Sequence, residues 1–175
     1  MILDIFSELQ RSGERSHGFE QQLFAPSGTF IDVAAGGFHS CGVRSGGAVE
    51  CWGRSLEGQT TVPGGTFTEV SAGDAHSCAI NIAGEIQCWG SDSAGQATPI
   101  VDSYTGVSAG GAHSCGVLTT SAIQCWGDDS LGQSNPTPGT FSQVATGFEH
   151  SCAVATDARL FCWGSTSDSK LIPPF

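Results

Sequence analysis

The stretch Gly73-Asp74-Ala75-His76-Ser77-Cys78-Ala79-Ile80-Asn81-Ile82-Ala83-Gly84-Glu85-Ile86-Gln87-Cys88-Trp89-Gly90 joins two short signatures, His-Ser-Cys and Cys-Trp-Gly, through nine residues. His-Ser-Cys begins at His39, His76, His113 and His150, so each interval is 37 residues. The same interval separates Trp52, Trp89, Trp126 and Trp163. Each unit also carries an aromatic (Phe30, Phe67, Tyr104, Phe141), a valine (Val33, Val70, Val107, Val144) and a glycine (Gly36, Gly73, Gly110, Gly147) in the same frame. Three units close with Gly-Gln at Gly58-Gln59, Gly95-Gln96 and Gly132-Gln133, whereas the fourth has Ser169-Lys170 there. Self-similarity at such a fixed period is the mark of a repeat architecture. Upstream, Gln22 and Pro26 fall in frame with Gln59 and Pro63, as the tail of an earlier unit would. Ile2, Leu3, Ile5, Phe6 and Leu9 suit a short amphipathic helix as well as an unrelated leader.

Glycine supplies 25 of the 175 residues and charged residues only 13%, which predicts a turn-rich chain poor in solvated helices. The formal charge is -11, and Lys170 is the sole lysine, so neutralising a nucleic-acid backbone is excluded and anionic membrane surfaces are disfavoured. No apolar run approaches the roughly 18 residues that span a bilayer as a helix, so membrane insertion is not expected.

Period-2 patterning with glycine punctuation argues for strands. In the second unit these are expected at about 66–71, 75–81 and 85–89, with a possible fourth near 96–100. The last two form a hairpin, and its register follows from the cysteines, because Cys78 and Cys88 are symmetric about Ala83. A three-residue loop ending in glycine fits a type I turn with a bulge. The third and fourth units put Ser121 and Ala158 where that glycine belongs. Opposed cysteines come within disulfide distance, which predicts Cys41–Cys51, Cys78–Cys88, Cys115–Cys125 and Cys152–Cys162. Alternation places the cysteine and histidine of each unit on one face and the tryptophan, above serine and glycine or alanine, on the other. A large ring over small neighbours suits sheet stacking, with both faces buried between units. The expected fold is therefore all-β: a β-propeller-like array of four 37-residue blades, each of three to four antiparallel strands. A β-solenoid is the competing reading, but its repeats are usually shorter and lack cross-linked hairpins. The expected division is a leader with a repeat remnant at 1–27 and a four-repeat domain at 28–175, with units at 28–65, 66–103, 104–139 and 140–175.

These residues resemble the regulator of chromosome condensation repeat, whose pattern is Gly-x-x-His-Ser followed by Trp-Gly-x-Asn-x-x-Gly-Gln. The chain shows Gly73-Asp74-Ala75-His76-Ser77 and then Trp89-Gly90-Ser91-Asp92-Ser93-Ala94-Gly95-Gln96, with in-phase copies across about 28–170. The family's asparagine is Ser55, Asp92 or Asp129 here. The cysteine pairs resemble the disulfide-bearing branch of bacterial exported proteins and plant crinkly-type receptor ectodomains. The resemblance implies a partial or open form of the seven-bladed propeller that family members usually close, and self-association to complete a ring is one expectation. A fragment of a longer exported protein is another.

His, Cys and Cys recur together in each unit, but zinc usually asks for Cys-x2-Cys spacing and a fourth ligand, so no metal or cofactor is expected. The histidines are expected to bond backbone within their own blade, while His17 lies outside the frame. Four identical copies argue against a Cys-His-Asp nucleophile, and the chain is not expected to be an enzyme. Asp92, Asp128 and Asp129 read as turn caps rather than calcium ligands. No Gly-x-x-x-x-Gly-Lys stretch supports phosphate binding.

Four cysteine pairs point to an oxidising compartment, hence an extracellular or cell-surface protein. Residues 1–15 carry no signal peptide, which that expectation attributes to a truncated or misassigned start. The expected function is a protein-binding module whose variable loops on a rigid scaffold make the contact, the partner being another protein. The candidate loops are 54–57, with Arg54 and Glu57; 91–94, with Asp92; and 128–131, with Asp128, Asp129 and Leu131. The linkers 60–65, 97–103 and 134–139 vary as well. His39, His76, His113, His150 and the four tryptophans are read as structural. The resemblance also implies an alternative, guanine-nucleotide exchange on a small GTPase. Sugar binding would need aromatics in loops, and only Phe148 is placed for it.

Overall fold

A computed structural model describes residues 25–166. The expectations for the leader, for Gln22, for His17 and for Ser169-Lys170 lie outside the described residues. Among the described residues twelve strands form four sheets, each a meander of three antiparallel strands. Blade 1 holds β1 (Phe30–Ala35), β2 (His39–Arg44) and β3 (Val49–Gly53). Blade 2 holds β4 (Phe67–Ala72), β5 (His76–Asn81) and β6 (Ile86–Gly90). Blade 3 holds β7 (Tyr104–Ala109), β8 (His113–Leu118) and β9 (Ile123–Gly127). Blade 4 holds β10 (Phe141–Thr146), β11 (His150–Ala155) and β12 (Leu160–Gly164).

Among the described residues each blade has three strands, not four. Residues 96–100 instead leave β6 through a turn in which Thr98 N–H donates to Gly95 C=O, and Pro99 cannot donate to a ladder. In all four blades the first pairing slips by one residue, as between Phe67 and Glu69, so Ile31, Thr68, Thr105 and Ser142 bulge out. The bulged hydroxyls of Thr68, Thr105 and Ser142 donate to the carbonyls of Ile80, Val117 and Val154 at 3.2–3.3 Å, covering acceptors that the slipped ladder leaves open. Ile31 has no hydroxyl and stands exposed.

The hairpin registers are as expected. Cys41, Cys78, Cys115 and Cys152 stand opposite Cys51, Cys88, Cys125 and Cys162, Cα atoms 4.0 Å apart, and all four pairs are disulfides. Gly47 and Gly84 close their turns at φ 83° and 81°. Ser121 and Ala158 take the same left-handed conformation at 69° and 67°, with a Cβ in the way.

The core lies between blades rather than inside them. Blade 2 presents Trp89, Phe67, Val70 and Ala79 to Cys41 and Val43 of blade 1, and the same set recurs at the next two junctions. The indole face therefore looks back at the preceding blade, and the disulfide face looks forward. The first strands lie side by side along the array: β4 packs on β1 and β2, β7 on β4 and β5, and β10 on β7 and β8.

Candidate functional site

Two sets of loops share one end of the array, because in each blade the first strand runs out, the second returns and the third runs out again. The residue leaving the third strand is tied to the loop between the first two. Arg54, Ser91, Asp128 and Ser165 N–H donate to Phe38, Ala75, Ala112 and Glu149 C=O at 2.8–2.9 Å. The structure thus brings all six candidate loop residues to this end, together with Asp74 and Phe148 from the inner loops.

Beneath the outer loops lies a three-membered network that repeats at each junction. The His39 Nε2 atom is 2.7 Å from Ser77 Oγ, and His76 and His113 stand 2.8 Å from Ser114 and Ser151. These contacts correct the expectation that the histidines bond backbone within their own blade. Each imidazole reaches the serine of the following blade instead. That serine hydroxyl donates to Gln59, Gln96 or Gln133 C=O at 3.0–3.3 Å. Its only proton being spent there, it must accept from the imidazole, which fixes the neutral Nε2–H tautomer. The bare Nδ1 atoms of His39, His76, His113 and His150 are buried without a partner. Burial pushes the His76 and His113 imidazoles down to about 4, and lowers His39 in the same direction. Gly73 and its counterparts allow this arrangement: a Cβ there would strike the next blade's Gly110 C=O and the Cε1 atom of its own His76 at 2.6 Å.

The glutamine carbonyls also accept Trp89, Trp126 and Trp163 Nε1–H at 2.8–2.9 Å. Their side chains turn the other way, into the loops. Gln59, Gln96 and Gln133 Oε1 accept from Glu57, Ala94 and Leu131 N–H at 2.8–3.0 Å. Their amides donate to Glu57 Oε2, Ser91 Oγ and Asp128 Oδ2 at 2.8–3.2 Å. All three glutamines are buried, so each candidate loop is clamped to a blade junction.

Most of the candidate polar groups serve the loops themselves. Arg54 pairs with Glu57 at 2.6 Å and lies 5.4 Å from the Phe38 ring centroid. Asp92 accepts from Ala97 N–H and Thr98 Oγ1, and Asp129 from Ser134 N–H. Asp128 accepts from Ser130 N–H, which holds its carboxyl below the usual range. Beside the exposed polar residues Ser55, Glu57, Asp92, Ser93, Asp129 and Ser130, this end shows three large apolar side chains to solvent: Leu56 at 81% exposure, Phe148 at 65%, and Leu131. The sequence reading singled out Phe148 and Leu131 and passed over Leu56. It noted Gly-Gln without assigning the glutamine a task, and it missed Asp32 and Glu69, which accept from Val70 and Val107 N–H of the following blade at 2.7 and 3.0 Å. That position is Gly106 and Gln143 in the other units, so no repeat signal marks it. Trp89, Trp126 and Trp163 are buried and Trp52 half-buried. All described cysteines are in disulfides, so none is a thiolate ligand.

The family model for the regulator of chromosome condensation (RCC1) repeat matches residues 30–59, 67–96, 104–133 and 141–169, more than half of the chain. The chain belongs to the regulator of chromosome condensation repeat family. No curated protein matches it significantly. Among solved structures it is similar to the ectodomain of the Physcomitrella patens receptor kinase CR4, at 25% identity and a TM-score of 0.71, over 85% of this chain and 46% of that one. The CRINKLY ectodomain of the Arabidopsis thaliana receptor kinase ACR4 matches at 27% identity and a TM-score of 0.67, over 81% and 51%. Prp20p of Saccharomyces cerevisiae, 17% identical with a TM-score of 0.70 over 87% and 49%, shares the fold. The chain spans about half the length of these structures.

Proposed function

We propose that the chain is a non-enzymatic protein-binding module of an oxidising compartment, extracellular or at the cell surface, whose contact is made by the loop end of the array. The observation that carries the reading is the glutamine clamp: loops 54–58, 91–95 and 128–132 are held by buried amides while Leu56, Leu131 and Phe148 stay exposed. Loops ordered before contact lose little entropy on binding, and exposed apolar side chains on them supply desolvation energy. Four hairpin disulfides and the similarity to two receptor ectodomains support the compartment. The exchange-factor reading rests on family membership alone.

A photo-cross-linking side chain placed at Leu56 or Phe148, and in parallel at Gly46 on a hairpin tip at the opposite end, tests the reading. Exposed to the extracellular fraction of its source, the protein should give one shared protein adduct from the first two positions and none from the third. An adduct from the hairpin end alone, or no adduct, would overturn it. Purified small GTPases should release nucleotide no faster in its presence.

A further inference from the structure

Charge is not spread evenly over the array. Residues 66–139, which make up blades 2 and 3 with their linkers, contain no lysine or arginine. Both blades pack against a described neighbour on each side, so their loops are seen in an assembled array. Of their carboxylates, Asp74, Asp92, Asp128 and Asp129 stand at the loop end, against Glu85 and Asp102 at the hairpin end. Asp92, Asp128 and Asp129 accept hydrogen bonds from uncharged donors, the amides of Ala97, Ser130 and Ser134 among them. Such bonds orient a carboxylate without cancelling its charge. None of the four has an ion pair among the described residues. The caps do not need that charge either. Asp92 Oδ1 and Asp129 Oδ1 each hold the N–H five residues on, at 2.8 and 2.9 Å, and the side-chain carbonyl of asparagine, the residue of the family pattern at this place, can hold it as well. Blade 1 shows what a cation does at this end. Where blades 2 and 3 have Ser91 and Asp128 it carries Arg54, which pairs with Glu57 at 2.6 Å and lies 5.4 Å from the Phe38 ring centroid. At blade 3 an aromatic ring and carboxylates come together without that cation. A Cβ on Gly111 would come 3.1 Å from Phe148 Cδ2, so the ring leans on blade 3 beside Ala112, whose C=O holds the Asp128 N–H at 2.8 Å.

We infer that the loop end receives a basic protein segment, in which lysine or arginine side chains flank apolar ones. The inference rests on the loop-end reading above and names the chemistry of its partner. Asp74, Asp92 and the pair Asp128 and Asp129 lie on three separate loops, so several cations set along one segment match them, whereas a single ion would serve one loop at a time. Each cation that arrives relieves the repulsion among like charges gathered at one end. A cation beside Asp128 and Asp129 has the Phe148 ring to lie against, as Arg54 has Phe38. The segment's apolar side chains meet the exposed Leu131 and Leu56. An acidic partner is repelled from this end, and an uncharged one strips water from the carboxylates without replacing it.

Fluorescence anisotropy with three labelled synthetic peptides of equal length tests this: repeats of Lys-Leu-Ser, of Lys-Ser-Ser and of Glu-Leu-Ser. The Lys-Leu-Ser peptide should bind most tightly and lose affinity as salt rises, and the Glu-Leu-Ser peptide should not bind. Asp92→Asn combined with Asp129→Asn keeps both caps and should weaken Lys-Leu-Ser binding about fivefold, the effect of losing two exposed ion pairs. Glu85→Gln combined with Asp102→Asn removes the same formal charge from the hairpin end and should leave that binding unchanged. Equal losses from the two double variants, or Glu-Leu-Ser binding as tight as that of Lys-Leu-Ser, overturn the inference. The loop-end double variant should also lower the yield of the photo-adduct from Leu56 and Phe148 by a similar factor. An undiminished adduct in that variant removes the basic partner alone and leaves the loop end a binding surface, whereas no adduct from the otherwise wild-type chain removes the reading beneath it.

Discussion

Acidification from pH 7 to pH 5 should loosen the blade junctions, by an amount that follows from the histidine network. His76 and His113 titrate at about 4 in the folded chain, against an ordinary value near 6.5. Between those values the unfolded chain binds protons that the folded chain refuses, so stability is complete above about pH 6.5 and is lost as pH falls toward 4. At roughly 1.4 kcal/mol for each pH unit spent in that window, each imidazole costs about 2 kcal/mol between pH 7 and 5, and the pair about 4. His39 acts in the same direction. Glu69 opposes them, since burial raises its carboxyl and a falling pH relieves it. The comparison that isolates the imidazole is therefore His113→Gln, whose amide can still donate to Ser151. Urea unfolding of the oxidised protein, followed by tryptophan fluorescence at pH 7, 6 and 5, measures both chains. The substitution should flatten the pH dependence by about 2 kcal/mol over that range, whatever it does to stability at pH 7. An identical slope in the two proteins, or a wild type that gains stability as pH falls, would refute a neutral Nε2–H imidazole at the junction.

Ser121→Gly and Ala158→Gly should each raise stability by about 1 kcal/mol, because both residues hold a left-handed turn conformation against a Cβ; urea midpoints check this, with Gly84→Ala expected to lose a similar amount. Gln96→Leu should cost about 0.5 to 1.5 kcal/mol, the net value of the hydrogen bond it makes to the Ala94 N–H. Hydrogen exchange should quicken at Ala94, while Trp126 emission stays unchanged, since its acceptor is the main-chain carbonyl. Replacing Cys115 and Cys125 together by serine should remove roughly 2.5 to 3 kcal/mol, the chain-entropy value for a loop of about ten residues, read as a fall in unfolding free energy under non-reducing conditions.

The 37-residue frame made the disulfides and the hairpin register legible, because Cys78 and Cys88 are equidistant from Ala83 and a hairpin has one symmetric pairing. Alternation likewise placed Trp89 over Ser77 and Ala79. The histidine partners were within reach of the same argument: His76 and Ser77 are adjacent and so point to opposite faces, and each must meet a different neighbour. The repeat displays residue types one unit at a time, which hid a bond made 38 positions away. The absent fourth strand had a local cause in Pro99, and in Gln96, whose side chain turns inward instead of joining a ladder. The loop carboxylates were readable as caps from Asp128-x-Ser130, whereas the exposure of Leu56 depends on how the loop is clamped, which no spacing records.

The glutamine clamp also explains why these loops differ so much in sequence while the blades do not. The bond that fixes each loop runs from a glutamine side chain to a backbone N–H two residues earlier, in Glu57, Ala94 and Leu131 alike, and a backbone donor is supplied by any residue but proline. The second amide bond accepts whatever oxygen the loop offers, a carboxylate in two units and a hydroxyl in the third. Shape is thus set by Gln59, Gln96 and Gln133 through the blade junction, helped by polar caps within each loop, and exposed side chains such as Leu56 and Ser93 take no part in it. A scaffold that holds loops by their backbone can carry Leu56 in one unit and Ser93 at the same place in the next without disturbing the array, so under the proposed function substitutions there should alter binding rather than folding.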